Sequence, residues 1–408
     1  MVLPDRSIDI YLVSRDITLQ EQPTMLLKRP VALVALGGVL SLLVSIVLIE
    51  ASRDWPKPTP IAGDPTLYGE IADSIISGGM PYVDVTVEHL PVLLVPILLV
   101  GLAARVLSSS YAALWPLVTI GVVVLTVLVA GRVDIVRDYQ RRFAIAVLPM
   151  LPLIIYRLEI YVVLLAVLAI AAFSAKRYNS GSVWTFLGIL AKGWPITLVG
   201  VPFRKGYRLA SAGVIGLSVL ILGAVSLMPG FQQGRSFEGI HTETIVGNVI
   251  LVFRHLTGAD LGLVGVAGAT YVTAPVAAVV LNALLAVPIL VIAIRYTFRT
   301  ENVTRLVAIA GLATAGVIAL SPLFSAQFMF WLTPFVVLLT SRSRTTYVVA
   351  AALSTAVAAF WNPFEAWWAF EVLLRNIVFV ALIVLWIRET VNTTVDADTG
   401  AVLTEDVS

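Results

Sequence analysis

Long apolar stretches separated by short polar ones dominate the chain. Apolar runs cover roughly Val31–Ile49, Pro91–Leu107, Ala112–Ala130, Phe143–Tyr156, Ile160–Phe173 and Val183–Phe203. Six more follow near Leu209–Met228, Val272–Ile294, Leu306–Leu320, Phe328–Leu339, Val348–Phe360 and Val372–Ile387. None alternates with period two, so they do not read as barrel strands. A bilayer core takes about 20 helical residues to cross and offers backbone groups no water, which selects helices for runs of this length. The pattern predicts an all-α, polytopic transmembrane helix bundle of 10 to 12 crossings spanning residues 31–387. Residues 1–30 lack the apolar stretch and small-residue cleavage site of a secretory signal and read as a cytoplasmic tail; residues 388–408 read as a second one.

The polar segments orient the bundle. Arg132, Arg137, Arg141 and Arg142 share one loop, Lys176 and Arg177 the next, and Arg204, Lys205 and Arg208 a third; Arg295, Arg299 and Arg305, then Arg342 and Arg344, complete the set. Basic loops face the cytoplasm. The two long polar loops, about residues 50–90 and 229–262, carry no such excess and are expected on the outer side, with amphipathic helices in them. Twelve simple crossings would leave two basic loops outside. If Pro91–Leu107 and Val183–Phe203 each enter and leave on one side, ten crossings remain and every basic loop is cytoplasmic; twelve full crossings are the alternative. The second of these segments is broken at Gly193-Trp194-Pro195, and irregular backbone at membrane depth is tolerated where it lines a protein cavity.

Composition agrees with this picture and narrows the chemistry. Of 408 residues, 59% are apolar and 13% charged, against about 45–50% and about 25% in soluble domains. Lys plus Arg (27) nearly balances Asp plus Glu (25), leaving no cationic excess for a nucleic-acid backbone. The chain has no cysteine and three histidines, His89, His241 and His255, so thiolate nucleophiles, disulfides and polyhistidine metal centres are not expected.

Candidate chemistry concentrates in three places. In the first outer loop, Gly63-Asp64-Pro65 reads as the start of an amphipathic surface helix, with Asp64 as N-cap and Pro65 at the first helical position. Tyr68, Tyr82, Asp84, Glu88 and His89 follow. Capping accounts for one carboxylate, not for the acidity of the loop. Second, Arg157, Glu159 and Lys192 interrupt apolar runs, where each charge costs about 2.5–3.5 kcal/mol on insertion scales, so each is either a paired or functional group or one that reaches water from a loop or by snorkelling. Third, the second outer loop holds Arg235, Glu238, His241 and Glu243; an arginine there can grip a phosphate bidentately or belong to a solvated loop face.

Asp64-Pro-Thr-Leu-Tyr68, Gly-Gly-Met-Pro-Tyr82-Val-Asp84 and Glu88-His-Leu-Pro91 together resemble the first outer loop of the integral-membrane glycosyltransferases of structural clan C. The resemblance is nearest to the branch of polyprenol-phosphate-mannose-dependent alpha-mannosyltransferases of the phosphatidylinositol mannoside type. Tyr156-Arg157-Leu-Glu159, Ala191-Lys192-Gly-Trp-Pro195, Arg235-Ser-Phe-Glu238 and Ser321-Pro-Leu-Phe-Ser325-Ala-Gln327 follow in the family's order, so the similarity runs from Asp64 to about Pro334. The chain departs from the family where relatives carry Arg-aromatic-Asp and Glu-Tyr-Pro-Pro; here stand Arg157-Leu158-Glu159 and Glu88-His89-Leu90-Pro91, and both keep a carboxylate.

The resemblance implies transfer of a sugar, mannose by analogy, from a polyprenyl-phosphate donor to a glycolipid or glycan acceptor on the outer face. It implies Asp64 as the base, with Asp84 or Glu88 next. The leaving lipid phosphate departs charged and needs cations, for which Arg235, Lys192 and Arg157 are the candidates. Tyr68, Tyr82, Glu159, Glu238, His241 and Gln327 would contact substrate. The two outer loops contain no Asp-x-Asp pair, so metal independence is expected and no cofactor beyond the lipid-linked donor is called for. Intramembrane charges with broken helices also suit a transporter of lipid-linked sugars, the alternative. Against that reading, the polar residues gather in two asymmetric loops.

Overall fold

The computed structural model describes residues 24–51, 63–233, 239–266 and 269–399. Most of the two expected tails, residues 1–30 and 388–408, lies outside these residues. The described chain is all-α apart from one small antiparallel sheet. Helix α1 (Thr24–Ala51) is followed by α2 (Gly63–Ile76), α3 (Pro91–Val106) and α4 (Tyr111–Ala130). Then α5 (Tyr139–Val147), a 3-10 turn at Leu148–Met150 and α6 (Leu151–Ile154) form one interrupted rod, because Pro149 and Pro152 supply no N–H to an α ladder. Helices α7 (Glu159–Ser174) and α8 (Tyr178–Lys192) pack as an antiparallel hairpin; the 3-10 segment Trp194–Val199 and α9 (Gly200–Arg204) lead to α10 (Arg208–Ser226).

After α11 (Pro229–Gln233) come β1 (Ile240–His241), α12 (Ile245–Thr257), β2 (Leu263–Val266) and β3 (Ala269–Val272), the strands pairing in the order β1-β3-β2. Helices α13 (Val276–Thr297) and α14 (Val303–Leu320), a 3-10 segment at Ala326–Leu332, α15 (Thr333–Val336), α16 (Ser341–Ala359) and α17 (Ala366–Thr399) complete the described chain. The expected helix from Val272 starts four residues later: Val272 pairs with Ile240 and Leu263 in the sheet, and Pro275 precedes the first helical residue. The second polar loop therefore runs on past residue 262 to the start of α13.

Among the described residues, six helical stretches are long and apolar enough to cross a membrane: Pro30–Val47, Tyr111–Ala130, Arg208–Ser226, Val276–Thr297, Val303–Leu320 and Ala366–Asn392. Their outer faces carry exposed Leu36 and Leu43, Val219 and Leu220, Leu284 and Val291, Leu374 and Ile377. Such a continuous apolar exterior suits hydrocarbon better than water. Helix α7 runs through the middle, burying Ile160, Val163, Ala166, Val167 and Ile170, with Trp115 packed on its Tyr161; Trp194 and Trp386 are buried in the same core, and Trp368 in a smaller one with Leu251 and Val357. Gly311 of α14 is required by packing, since a Cβ there would collide with Phe335 and Trp386.

Contacts divide the bundle into two ends. At one, the basic loops touch in sequence. The Asp134 N–H faces Ser174 Oγ at 3.5 Å, the Tyr178 and Tyr207 rings meet at 5.0 Å, and Arg204 donates to the Thr300 carbonyl at 3.2 Å. Thr304 donates to Ile135 O, Arg142 to Val337 O, and Thr340 to Glu389. The five basic loops thus share one end. At the other lie α2, the 155–159 turn, the end of α8 and the sheet. Both ends of α3 stay beside α2, with Tyr68 against His89 at one and Asp73 paired with Arg105 at the other, so α3 does not reach the basic end. The 183–203 stretch rises in α8 to Lys192 and returns through α9 to Arg204, beside the basic loops.

Candidate active site

Helix α2 begins at Gly63, so Asp64 sits in the first turn rather than at the N-cap. A carboxylate there is favoured by the helix dipole, and its side chain does more than cap. Asp64 forms an ion pair with Arg157, from the turn between α6 and α7, and accepts a hydrogen bond from the Tyr68 hydroxyl at 3.0 Å, one turn along α2. Tyr68 is buried against Trp115 and the edge of His89. Burial first, then the Asp64 carboxylate, hold its hydroxyl protonated far above the usual phenol range, so it acts as a donor that orients the carboxylate.

The second pair is deeper. Glu159 opens α7 and is 1% exposed; Lys192, the last residue of α8, places Nζ 2.5 Å from its Oε1. Lys192 ends its helix because Gly193 adopts φ +74°, a left-handed backbone that side-chain-bearing residues resist, and Pro195 cannot continue the ladder. The ammonium also faces the Phe328 and Trp331 rings at 5.4 and 5.7 Å, and Trp331 stacks on Trp194 at 5.9 Å. Neither loop exposure nor snorkelling describes this lysine: the break in α8 brings it to a buried acid and an aromatic floor.

Beside Lys192 lies a cavity of about 300 Å³ walled by Glu88, His89 and Leu93, by Lys192 and Gly193, and by Leu222, Ser226 and Phe231. Glu88 and His89 therefore face the space that Lys192 borders. Asp84 does not line it: the residue is exposed, and its carboxylate accepts the Met80 N–H at 2.9 Å, closing a turn. Tyr82 has a positive φ of 67° and is buried; its hydroxyl donates to the His89 carbonyl at 2.7 Å, and its ring meets Phe231 edge-on. Tyr82 and Asp84 thus shape the loop that presents Glu88 and His89.

Of the remaining expected residues, His241 lies on β1 and Gln327 on the 3-10 segment that opens at Ala326. His241 is buried; its Nδ1 donates to the Phe324 carbonyl at 2.8 Å, and burial pushes its pKa below the usual imidazole value. Gln327 is half-buried on the 3-10 segment. Arg235 and Glu238 fall outside the described residues.

One group escaped sequence reading. Arg375 lies inside an apolar run of α17 and is fully buried, donating to Glu243 Oε2 at 2.9 Å and to the Glu243 carbonyl at 2.5 Å, and stacking over Phe324 at 4.3 Å. The signal was present: a lone arginine amid apolar residues invites the same question as Lys192.

Three carboxylates (Asp64, Glu88, Glu159), two cations and a histidine therefore converge at the end of the bundle opposite the basic loops. Comparison of the chain with protein-family models, with curated proteins and with solved structures finds no match in any of the three.

Proposed function

We propose that the chain is a membrane glycosyltransferase that moves a sugar, mannose by the resemblance of its loops, from a polyprenyl-phosphate donor to a glycolipid or glycan acceptor. In this reading the basic loops face the cytoplasm and the Asp64 end faces outward. Ten single crossings are supplemented by the α8–α9 excursion, which enters and leaves on the cytoplasmic side, while α3 rests in the outer leaflet. The observation that carries the reading is the pair of carboxylate–cation couples at the less basic end: Lys192, paired with Glu159, lines the cavity, and Asp64, paired with Arg157, reaches its wall through Tyr68, whose ring meets His89.

The chemistry requires two things. An acceptor hydroxyl attacking the anomeric carbon must give up its proton, and a carboxylate at the cavity can take it. Asp64, joined to the cavity wall through Tyr68 and His89, is the first candidate and Glu88, which lines the cavity, the second; Asp84 drops behind both because its carboxylate closes a turn. As the new C–O bond forms, the bond between the anomeric carbon and the phosphate oxygen breaks, and its electrons stay on the phosphate. Lys192 and Arg157 supply positive charge for that oxygen. Each is already held by a carboxylate, so the cations are positioned before donor arrives.

Purified protein in detergent, offered a panel of polyprenyl-phosphate sugars with lipid acceptors, is expected to form a glycosylated lipid. Because detergent leaves no sealed compartment, turnover there separates transfer from transport. Absence of product with every donor, together with movement of lipid-linked sugar across reconstituted vesicles, would replace this reading with the transporter one, which the break at Gly193 also suits.

A further inference from the structure

The α8–α10 seam carries a second cavity, at the opposite end of the molecule from Asp64. Its volume is about 320 Å³, and its lining starts at Asn179 and Ala210, in the first turns of the two helices, and continues over Val183, Phe186, Gly213 and Leu217. Both helices start at the basic end and run the same way, so the groove extends about 10 Å inward from it, two turns at 1.5 Å per residue. Below Asn179 its walls are apolar except for Ser182, whose hydroxyl donates to the Tyr178 carbonyl at 2.9 Å, and Gly213 leaves them recessed: a Cβ there would meet nothing within 4 Å.

Charge surrounds the mouth. Lys176 and Arg177 immediately precede α8, and Lys205 and Arg208 flank the start of α10; the Tyr178 and Tyr207 rings, tilted against each other with centroids 5.0 Å apart, tie the two helix starts together. Among the described residues none of these four cations pairs with a carboxylate, whereas neighbouring Arg204 is taken by Glu301 at 3.6 Å. A cationic mouth above an apolar groove, with tyrosines between, matches one kind of molecule in both chemistry and order.

We infer that this seam binds a phospholipid with an anionic headgroup, the headgroup among Lys176, Arg177, Lys205 and Arg208 and the upper part of one acyl chain between α8 and α10. A free anion would use the cations and leave the groove empty; a zwitterionic lipid would fill the groove but gain less from the cations. The inference rests on the membrane reading and not on sugar transfer.

The test is native mass spectrometry of the full chain from mixed micelles holding equal amounts of phosphatidylglycerol and phosphatidylcholine. One phosphatidylglycerol is expected to be retained at least about fivefold over phosphatidylcholine, and Arg177→Gln with Arg208→Gln should cut that preference about tenfold or abolish it. Gly213→Leu, which places a side chain in the groove without touching a cation, should lower phosphatidylglycerol retention while leaving the melting temperature unchanged. If the double variant fails to fold, Gly213→Leu decides alone. Equal retention of the two lipids, or retention unaffected by Gly213→Leu, would overturn the inference. Displacement of phosphatidylglycerol by millimolar inorganic phosphate would reduce the site to an anion site. A dimer of the chain lost in Gly213→Leu would assign the groove to a second copy, and either result counts against a lipid.

Discussion

Asp64 and Glu159 are both carboxylates facing a cation, and water reaches them differently. Asp64 and Arg157 are 27% and 13% exposed, whereas Glu159 is 1% exposed. Asp64→Asn is therefore expected to cost a modest ~1–2 kcal/mol of stability, discounted for solvent screening, while sugar transfer falls about 100-fold or more. Near-normal turnover in a folded Asp64→Asn protein would pass the role of base to Glu88. Glu159→Gln leaves Lys192 beside a neutral partner in a buried place and should cost about 2–4 kcal/mol, most of it regained in the Glu159→Gln/Lys192→Met double variant. Unfolding of the wild type, Glu159→Gln, Lys192→Met and the double variant in one detergent measures the coupling, and additive costs would mean the pair contributes nothing jointly. His241 gives a pH dependence. Burial lowers its pKa from the usual 6.5, so its contribution is complete above that value, where folded and unfolded forms are both neutral, and is lost as pH falls through the lower folded pKa. The wild-type melting temperature should drop between about pH 7 and about pH 5 more steeply than that of His241→Gln; parallel profiles would remove His241 as the cause.

At the scale of elements, the contact between α17 and the β1–α12 segment has the most to lose. Arg375 and Asn376 hold the Glu243 side chain and carbonyl, while His241 and Thr242 pin the same strand to Pro322, Phe324 and Thr270. Arg375→Met strands a buried carboxylate and is expected to cost about 3–5 kcal/mol, whereas Arg375→Met with Glu243→Met removes both charges and should recover most of it. Limited proteolysis supplies the local reading: cleavage within 239–266 should accelerate in the single variant before the rest of the bundle opens. This element also marks where sequence reading stopped. The run Val372–Ile387 predicts a helix through average hydropathy, and an average hides one arginine. The sheet was missed for a related reason: Val272 opens an apolar run, and only its pairing with Ile240 and Leu263 makes it a strand end. By contrast, the break at Gly193-Trp194-Pro195 was legible because proline and glycine act through their own backbone, whatever surrounds them.

At the scale of the whole molecule, the absence of cysteine makes sidedness directly measurable. Single cysteines at Val83, Asp138 and Asn179, in intact cells treated with a membrane-impermeant thiol reagent, are expected to label at 83 alone. Labelling at 138 and 179 would place the basic end outside and, with it, invert the proposed orientation of the site. What the sequence by itself determined is everything that follows from local averages and backbone stereochemistry: that these are apolar helices, that the basic loops form a set, and that Asp64, Arg157, Glu159 and Lys192 are charges in need of an explanation. Their partners were decided only by tertiary structure. Asp64 meets Arg157 across 93 positions, Glu159 meets Lys192 across 33, and Glu243 meets Arg375 across 132. A buried charge specifies that it must be compensated, not by which residue; that choice is made where α2, α7, α8 and α17 pack, and helix packing depends on the shapes of whole faces rather than on any short stretch of chain.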